Sequence, residues 1–190
     1  MNAHPRLAAK PRNNPLWLAA ALGLLFALAL AVPPAQAGPP PASPGCFWTR
    51  YFSEERQAME YCPSGAIHRI HCIGGFCDEM AMECCAQPSV QRSNDYYLSP
   101  IFDGKGPIEF HFCRDGRYVR GIECFEGYCG RLMIHCEAPG TVDPTTCKET
   151  GYFSEENGGV GACGPGTVVT GVVCHNRNCD NLRLQCCRVR

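Results

Sequence analysis

Beyond residue 37, this 190-residue chain has none of the compact motifs that carry enzyme chemistry. It contains no Gly-x-Ser-x-Gly elbow, no His-Glu-x-x-His zinc motif and no phosphate-binding loop. It also lacks any segment in which apolar residues recur with a convincing helical period. These absences predict a protein that is not an enzyme, has no cofactor and contains few helices.

Residues 1–37 have the order of a secretory signal peptide. A basic front end is followed by an apolar run from Leu16 to Val32, and Ala35-Gln36-Ala37 offers a cleavage site of small residues. The alternative is an uncleaved anchor, because the run approaches the length that spans a bilayer. We predict cleavage after Ala37 and export, so that the protein is secreted to the periplasm or the extracellular space.

The exported part is short of basic charge. The leader holds three of the seventeen Lys and Arg residues and none of the eighteen acidic ones, which leaves a net charge of −4. Nucleic acids and anionic lipid both require a concentrated basic face. The sequence therefore argues against a nucleic-acid partner and against electrostatic attachment to a membrane.

All sixteen cysteines lie beyond the leader, and none of them forms a Cys-x-x-Cys pair. Neither a thioredoxin-type redox site nor a ribbon-type zinc site is therefore indicated. In an exported chain, an even and dense set of cysteines is typical of a disulfide framework. We predict structural disulfides and no metal site.

The cysteines recur in three internal repeats. CFWTRYFSEERQAMEYC at 46–62 matches CKETGYFSEENGGVGAC at 147–163, and the cysteine spacing that follows both recurs at 113–136. The sequence therefore predicts one domain, 46–190, preceded by a Pro-rich lead-in at 38–45. Its three repeats span residues 46–86, 96–138 and 147–190.

Repeat two has four cysteines where the others have six. The first is missing near Tyr96 or Tyr97, and Glu137 takes the place of the last. Because an unpaired thiol is a liability in a secreted protein, the joint loss predicts that these two positions are partners. The expected outer disulfides are Cys46–Cys85 and Cys147–Cys187, while the four inner cysteines of each repeat leave three pairings open.

Short alternating runs such as 80–84, 132–136 and 182–186 predict strands bounded by Gly, Asn and Asp turns. Each repeat has room for about four short strands, whose single apolar face needs a neighbour to cover it. We expect a disulfide-rich, all-β fold in which the repeats surround a pseudo-threefold axis as a β-prism or a trefoil-like arrangement.

The candidate binding residues lie at the tips between the third and fourth cysteines of each repeat. Tip one is 73–76, tip two 125–128 and tip three 175–178. A surface aromatic on a rigid loop, beside an acidic residue, can stack on a sugar or anchor a protein partner. The alternative is that Phe76 and Tyr128 fold back over a disulfide. The predicted ligand-binding residues are Phe76, Asp78, Phe125, Tyr128, His175, Asn176, Asn178 and Asp180.

Two carboxylate pairs, Glu54-Glu55 and Glu155-Glu156, recur in repeats one and three. Clustered carboxylates can bind calcium or act as an acid/base pair. Repeat two lacks the pair, and we interpret these residues as a solvated turn.

The spacing Cys163-x-x-Gly166-x-x-Val169-Thr170-Gly171-x-x-Cys174, ending in Cys186-Cys187-Arg188-Val189, resembles the C-terminal domain of resistin. The three repeats are also similar to the cysteine-rich C-terminal domain of the proprotein convertase that regulates lipoprotein receptors. Some apicomplexan perforins carry a comparable domain that engages membranes. The first two resemblances imply a β-rich, non-enzymatic protein that acts through protein contacts.

We therefore predict a secreted binding module that recognises a glycan or a protein surface through its tips. One alternative is a membrane-engaging module of a secreted toxin or predation system, with an apolar wedge at Ile73, Phe76, Phe125 and Tyr128. Another is a secreted protease inhibitor, because such inhibitors present rigid, cysteine-held loops.

Overall fold

The structure is a computed structural model that describes residues 38–90, 92–104, 106 and 108–190, so the predicted leader lies outside the described residues. The described chain is all-β apart from short 3-10 turns at Gly75–Cys77, Gly127–Cys129, Glu155–Asn157 and Arg177–Cys179. Its strands are β1 (Cys46–Trp48), β2 (Met59–Tyr61), β3 (Ala66–Ile73), β4 (Glu79–Cys85), β5 (Tyr96–Leu98), β6 (Phe102–Asp103), β7 (Ile108–Phe112), β8 (Tyr118–Phe125), β9 (Arg131–Glu137), β10 (Val142–Glu149), β11 (Val160–Ala162), β12 (Thr167–His175) and β13 (Asn181–Val189).

The strands form three antiparallel sheets, with the orders β1-β4-β3-β11, β2-β8-β9-β5 and β10-β13-β12-β7. In the second sheet β6 also pairs with β9. Each sheet is built around the long hairpin of one repeat. Because the described residues form strands and only short 3-10 turns, the all-β prediction is confirmed. β10 begins at Val142, five residues before the position where the sequence placed the start of repeat three.

Each sheet borrows a short strand from another repeat. β2 of repeat one pairs with β8 of repeat two, β7 of repeat two pairs with β12 of repeat three, and β11 of repeat three pairs with β3 of repeat one. Each of the three sheets therefore contains one strand that another repeat supplies. This exchange joins the three repeats through backbone hydrogen bonds as well as through the core.

Residues 38–190 form one compact unit around a shared core. The alternation that predicted the strands sends one face of each hairpin inward. Three cross-strand pairs at the same register, Ile70↔Met82, Ile122↔Ile134 and Val172↔Leu184, are all fully buried. Burying a side chain of this size stabilises the fold by about 1.5–3 kcal/mol.

Eight disulfides pair all sixteen cysteines. The outer bonds Cys46–Cys85 and Cys147–Cys187 are those expected from the joint loss in repeat two. Within the repeats, the second cysteine pairs with the fifth and the third with the fourth, as in Cys62–Cys84 and Cys72–Cys77. Such a framework is typical of an oxidising, extracellular environment.

In the part of the chain that the structure describes, no helix has the length and apolar character needed to cross a bilayer.

Candidate functional site

The three tips lie together. Each is the sharp turn between the two long strands of one repeat, and each is closed by a disulfide between cysteines five residues apart. The 3-10 turns that contain the tips contact one another in all three combinations. We call the surface formed by residues 73–78, 125–130 and 175–180 the tip face.

Sulfur atoms of the tip disulfides contact backbone carbonyls of the neighbouring tip. These sulfurs carry no proton, so the contacts are packing and polarisation contacts, not hydrogen bonds. They run in one direction around the tip face: Cys129 Sγ lies 3.1 Å from the Asp78 oxygen, Cys77 Sγ 3.7 Å from the Asp180 oxygen and Cys179 Sγ 3.8 Å from the Gly130 oxygen.

Glu54 and Glu155 fasten two of the tips. The Glu155 carboxylate accepts hydrogen bonds from the backbone N–H groups of Phe76 at 2.8 Å and Cys77 at 3.3 Å. The Glu54 carboxylate does the same for Tyr128 at 2.6 Å and Cys129 at 3.0 Å. The interpretation of these glutamates as a solvated turn is therefore wrong for Glu54 and Glu155, because each carboxylate satisfies amides of another repeat.

Repeat two has glycine where the others have these glutamates. A Cβ on Gly104 would lie 1.6 Å from the backbone oxygen of Asn176 and 3.3 Å from the Cys179 nitrogen. Tip three therefore packs directly against the backbone of repeat two, and any side chain at residue 104 would push it away.

We expect Glu155→Ala to loosen tip one. Hydrogen bonds to a charged group contribute about 1.5–3 kcal/mol when buried, and this carboxylate is half-buried, so we expect about 1 kcal/mol. Exchange of the Phe76 and Cys77 amide protons should accelerate roughly fivefold to tenfold in hydrogen-exchange NMR. The neighbouring exposed residue gives the matched control, since Glu156→Ala removes the same charge; equal acceleration in both variants would contradict the capping role.

The tips share an unusual backbone. Phe76, Tyr128 and Asn178 occupy equivalent positions with φ of 63°, 68° and 64°, in the left-handed region. Asparagine tolerates this conformation, whereas a bulky aromatic residue does not and costs about 1–2 kcal/mol. Repeats one and two therefore keep an aromatic side chain where the backbone favours asparagine or glycine.

Both aromatics point outward. Phe76 is 46% exposed and Tyr128 is 53% exposed, and their ring centroids lie 5.9 Å apart in an edge-to-face arrangement. This exposure does not support the alternative that the rings fold back over a disulfide. Two rings from different repeats thus form one aromatic pair at the surface of the tip face.

The other predicted residues of the tips differ in their exposure and in their contacts. Phe125 is half-buried, and half-buried His175 packs against Tyr152 with ring centroids 4.9 Å apart. Asn176 is exposed, while the side chain of Asn178 lies against Gly130. The structure therefore brings Asn178 to the junction of two tips and leaves His175 at the edge of the face.

The tip face is negatively charged. Burial raises the pKa of Asp78, and the charges of Glu54, Glu55 and Glu79 add to this effect against the opposing charge of Arg56. The Oδ1 atom of Asp78 is buried and has no hydrogen-bond partner among the described residues.

Asp180 shows the same behaviour in repeat three. Its pKa is raised by burial and by the charges of Glu155 and Glu156. One carboxylate oxygen of Asp180 accepts a hydrogen bond from the side chain of Asn181 at 3.2 Å. Each aspartate directly follows the fourth cysteine of its repeat, so both belong to the tip face.

Two groups of described residues bring cysteine sulfurs close to a carboxylate, namely Cys46, Glu83 and Cys85, and Cys72, Cys77 and Glu155. In both groups the cysteines are disulfide-bonded and provide no thiolate. Their carboxylates are also engaged, Glu83 by Arg69 and Glu155 by backbone amides. Neither group has the ligand chemistry of a zinc site.

No family model, curated protein or solved structure matches this chain.

Proposed function

We propose that this protein is a secreted, non-enzymatic binding module whose tip face recognises a glycan or a protein surface. The observation that carries the proposal is the pair of exposed aromatic rings, Phe76 and Tyr128, on left-handed backbone. Strained residues are retained where they serve a function, because folding alone would favour a residue that relieves the strain. Here the strained residues are also the surface aromatics.

The chemistry of the tip face suits both ligand classes. An exposed ring stacks on the apolar face of a sugar or anchors in a pocket of a partner protein. Asp78 and Asp180 can accept hydrogen bonds from sugar hydroxyls or from the basic groups of a protein. The same negative charge opposes anionic lipid, which makes the membrane-engaging alternative the weaker one.

The proposal extends to the architecture. We infer that the three repeats surround a pseudo-threefold axis, because the borrowed strands and the contacts between tips both run in one direction through the repeats. The resemblance of repeat three to resistin and of the repeats to the convertase domain supports a role in protein contacts. A prism or trefoil-like arrangement would place the tips at one end of the axis.

The sharpest test copies the design of tip three into the other two tips. We expect the double variant Phe76→Asn/Tyr128→Asn to leave the free energy of unfolding unchanged or to raise it by about 1 kcal/mol, because asparagine tolerates left-handed backbone. The same variant should lose ligand binding at least tenfold. Urea denaturation measures the first effect, and a glycan array together with an array of displayed secreted proteins measures the second.

The outcomes separate the alternatives. A ligand that the wild-type binds and the double variant loses supports the proposal. Binding that survives the double change, or a marked loss of stability in it, contradicts the proposal. Flotation of the wild-type protein with neutral liposomes would favour the membrane-engaging module instead, and inhibition in a protease panel would favour the inhibitor.

A further inference from the structure

The Pro-rich lead-in crosses the outer face of the first sheet. The indole N–H of Trp48 donates a hydrogen bond to the Pro40 carbonyl at 2.7 Å, and Arg69 donates to the Pro41 carbonyl at 2.9 Å. Consecutive prolines favour the polyproline II conformation, whose carbonyls remain free to accept such bonds. The sheet of repeat one is thus occupied by a proline-containing segment of its own chain.

The far end of this segment is held by a buried carboxylate. The backbone N–H of Ser43 donates to Glu83 Oε1 at 2.5 Å, and the Glu83 side chain is fully buried. Glu83 lies opposite Trp48 across β1 and β4. Trp48, which donates to a carbonyl of the lead-in, and Glu83, which accepts from an amide of the lead-in, therefore lie on the same outer face of the first sheet.

Repeat two has the equivalent sheet face, and residues 92–94, the segment that precedes β5, form part of the wall of a cavity there. Leu98 and His135 lie opposite each other across β5 and β9, in the register that Trp48 and Glu83 have in repeat one. The cavity, of about 600 Å³, opens over them. Its walls include Tyr61, Tyr96 and the junction between repeats one and two.

His135 is the polar centre of this cavity. The residue is 7% exposed, its Nδ1 lies 2.9 Å from the Tyr61 hydroxyl, and its Nε2 makes no hydrogen bond among the described residues. The nearest carboxylate oxygen, on Glu123, is 3.5 Å from Nε2. Burial lowers the pKa of His135 against the opposing influence of Glu123, so the imidazole is neutral at pH 7.

The lining of the cavity mixes polar and apolar residues, and its exposed apolar side chains lie on β5. Tyr96 is 64% exposed and Leu98 is 44% exposed, although both lie on a strand that belongs to the core sheet. Arg120 and Glu137, at the inner wall, form a buried ion pair at 2.7 Å; Arg120 also donates to the Cys62 carbonyl, and Glu137 also accepts from the Ser93 amide. Among the described residues of the lining, His135 Nε2 is therefore the buried side-chain polar atom without a hydrogen bond, and Tyr96 and Leu98 are the exposed apolar side chains.

We infer that the cavity of repeat two binds a proline-containing peptide segment of a partner protein, in the position that residues 39–43 occupy over repeat one. Aromatic-lined grooves bind such segments because the polyproline II helix is already ordered and loses little entropy. The neutral imidazole provides a polar group for the peptide backbone. This site is separate from the tip face.

The test uses the exported chain, residues 38–190, with its disulfides intact. The first probe is the octapeptide Gly-Pro-Pro-Pro-Ala-Ser-Pro-Gly of residues 38–45. This peptide is the first member of an array of octapeptides that keep these prolines and vary the other positions. Each member is paired with a control peptide, its twin, in which alanine replaces the prolines. We expect array members to bind at least tenfold more tightly than their twins and to shift the His135 imidazole signals in NMR.

Variants locate the binding. Tyr96→Ala and Leu98→Lys change exposed residues of the rim, so both should fold, and both should weaken peptide binding at least tenfold. Phe110→Ala, which truncates an equally exposed ring on β7, gives the matched control and should bind as the wild type does. The tip variant Phe76→Asn/Tyr128→Asn should also bind unchanged, which keeps this inference distinguishable from the proposed function.

Two results would overturn the inference. One is an array in which no member depends on its prolines for binding. The other is proline-dependent binding that Leu98→Lys leaves intact, because the peptide would then lie elsewhere on the molecule.

Discussion

A ninth disulfide should form in the triple variant Tyr96→Cys/Glu137→Cys/Arg120→Thr, and it should raise the free energy of unfolding by about 2–4 kcal/mol. Tyr96 lies opposite Glu137 across β5 and β9, as Cys46 lies opposite Cys85 across β1 and β4. In the two outer disulfides that exist, the Cα atoms are 4.2 and 4.1 Å apart. The new bond would therefore need little movement of the backbone.

The third substitution is required by charge. Arg120 is 6% exposed, and Glu137 is its ion-pair partner. Removing Glu137 alone would leave a buried guanidinium uncompensated, at a cost of about 3–5 kcal/mol. Repeat three shows the solution, since Thr170 there places its hydroxyl 2.9 Å from Cys187 Sγ.

The control is Tyr96→Ser/Glu137→Ser/Arg120→Thr, which has the same polarity and no new bond. The gain is the difference between the triple variant and this control in urea denaturation of the oxidised proteins, with the bond identified by non-reducing peptide mapping. Equal unfolding free energies, or free thiols at residues 96 and 137, would show that repeat two has diverged from the geometry of its neighbours.

Arg69→Met should destabilise the protein by about 3–5 kcal/mol, because it leaves the buried Glu83 without its arginine partner and with only His68 Nδ1, 3.7 Å away, as a basic neighbour. Arg69 hydrogen-bonds to both carboxylate oxygens of Glu83, whose side chain is fully buried. Its guanidinium also lies over the ring of Trp48, with 5.1 Å between the Cζ atom and the ring centroid. Methionine would keep most of the packing and none of the charge.

The pH dependence separates a charge effect from a packing effect. Burial alone would raise the pKa of Glu83, but hydrogen bonds from Arg69 and Ser43 outweigh it and hold the pKa below its ordinary value. In the wild type, this carboxylate therefore contributes stability above its unfolded-state pKa, and the contribution is lost as the pH falls through the folded-state pKa.

Without Arg69, burial opposes only the hydrogen bonds from Ser43, and we expect the sign of the shift to reverse. The folded-state pKa of Glu83 then rises, so the destabilisation of Arg69→Met should shrink as the pH is lowered from 7 towards 5. The control is Arg56→Met, which breaks an ion pair of a 66% exposed arginine with Glu79 and should cost no more than about 1 kcal/mol. Loss of stability that is the same at both pH values would point to packing.

Much of the framework could be predicted because it is local in sequence. Alternation over 80–84 places a strand there whatever the rest of the chain does, and β4 covers this segment. The outer pairing was predictable for another reason. Repeat two lacks both cysteines of the outer pair, and this joint absence is visible in the sequence.

The inner pairing could not be chosen in this way, because all four inner cysteines are present in every repeat. The structure pairs the third with the fourth and so closes each tip. This choice depends on which faces of the hairpin point inward. Only the packed sheet determines that.

The site itself was predicted in part. The tips and their aromatics were identified from the sequence, but Glu54 and Glu155 were interpreted as a solvated turn. Glu155 lies 79 positions from Phe76, and nothing local indicates that the two meet. Their contact requires repeat three to lie beside repeat one.

The sequence by itself determined the three repeats, their strands and the outer disulfides, because spacing and alternation act within a single repeat. The tertiary structure decided which strands are borrowed and that the tips cluster. It also decided the difference between the equivalent sheet faces of repeats one and two. In repeat one the lead-in covers its face, while in repeat two a cavity remains. These features are contacts between repeats, and the geometry of such contacts arises only when the apolar faces of all three are buried together.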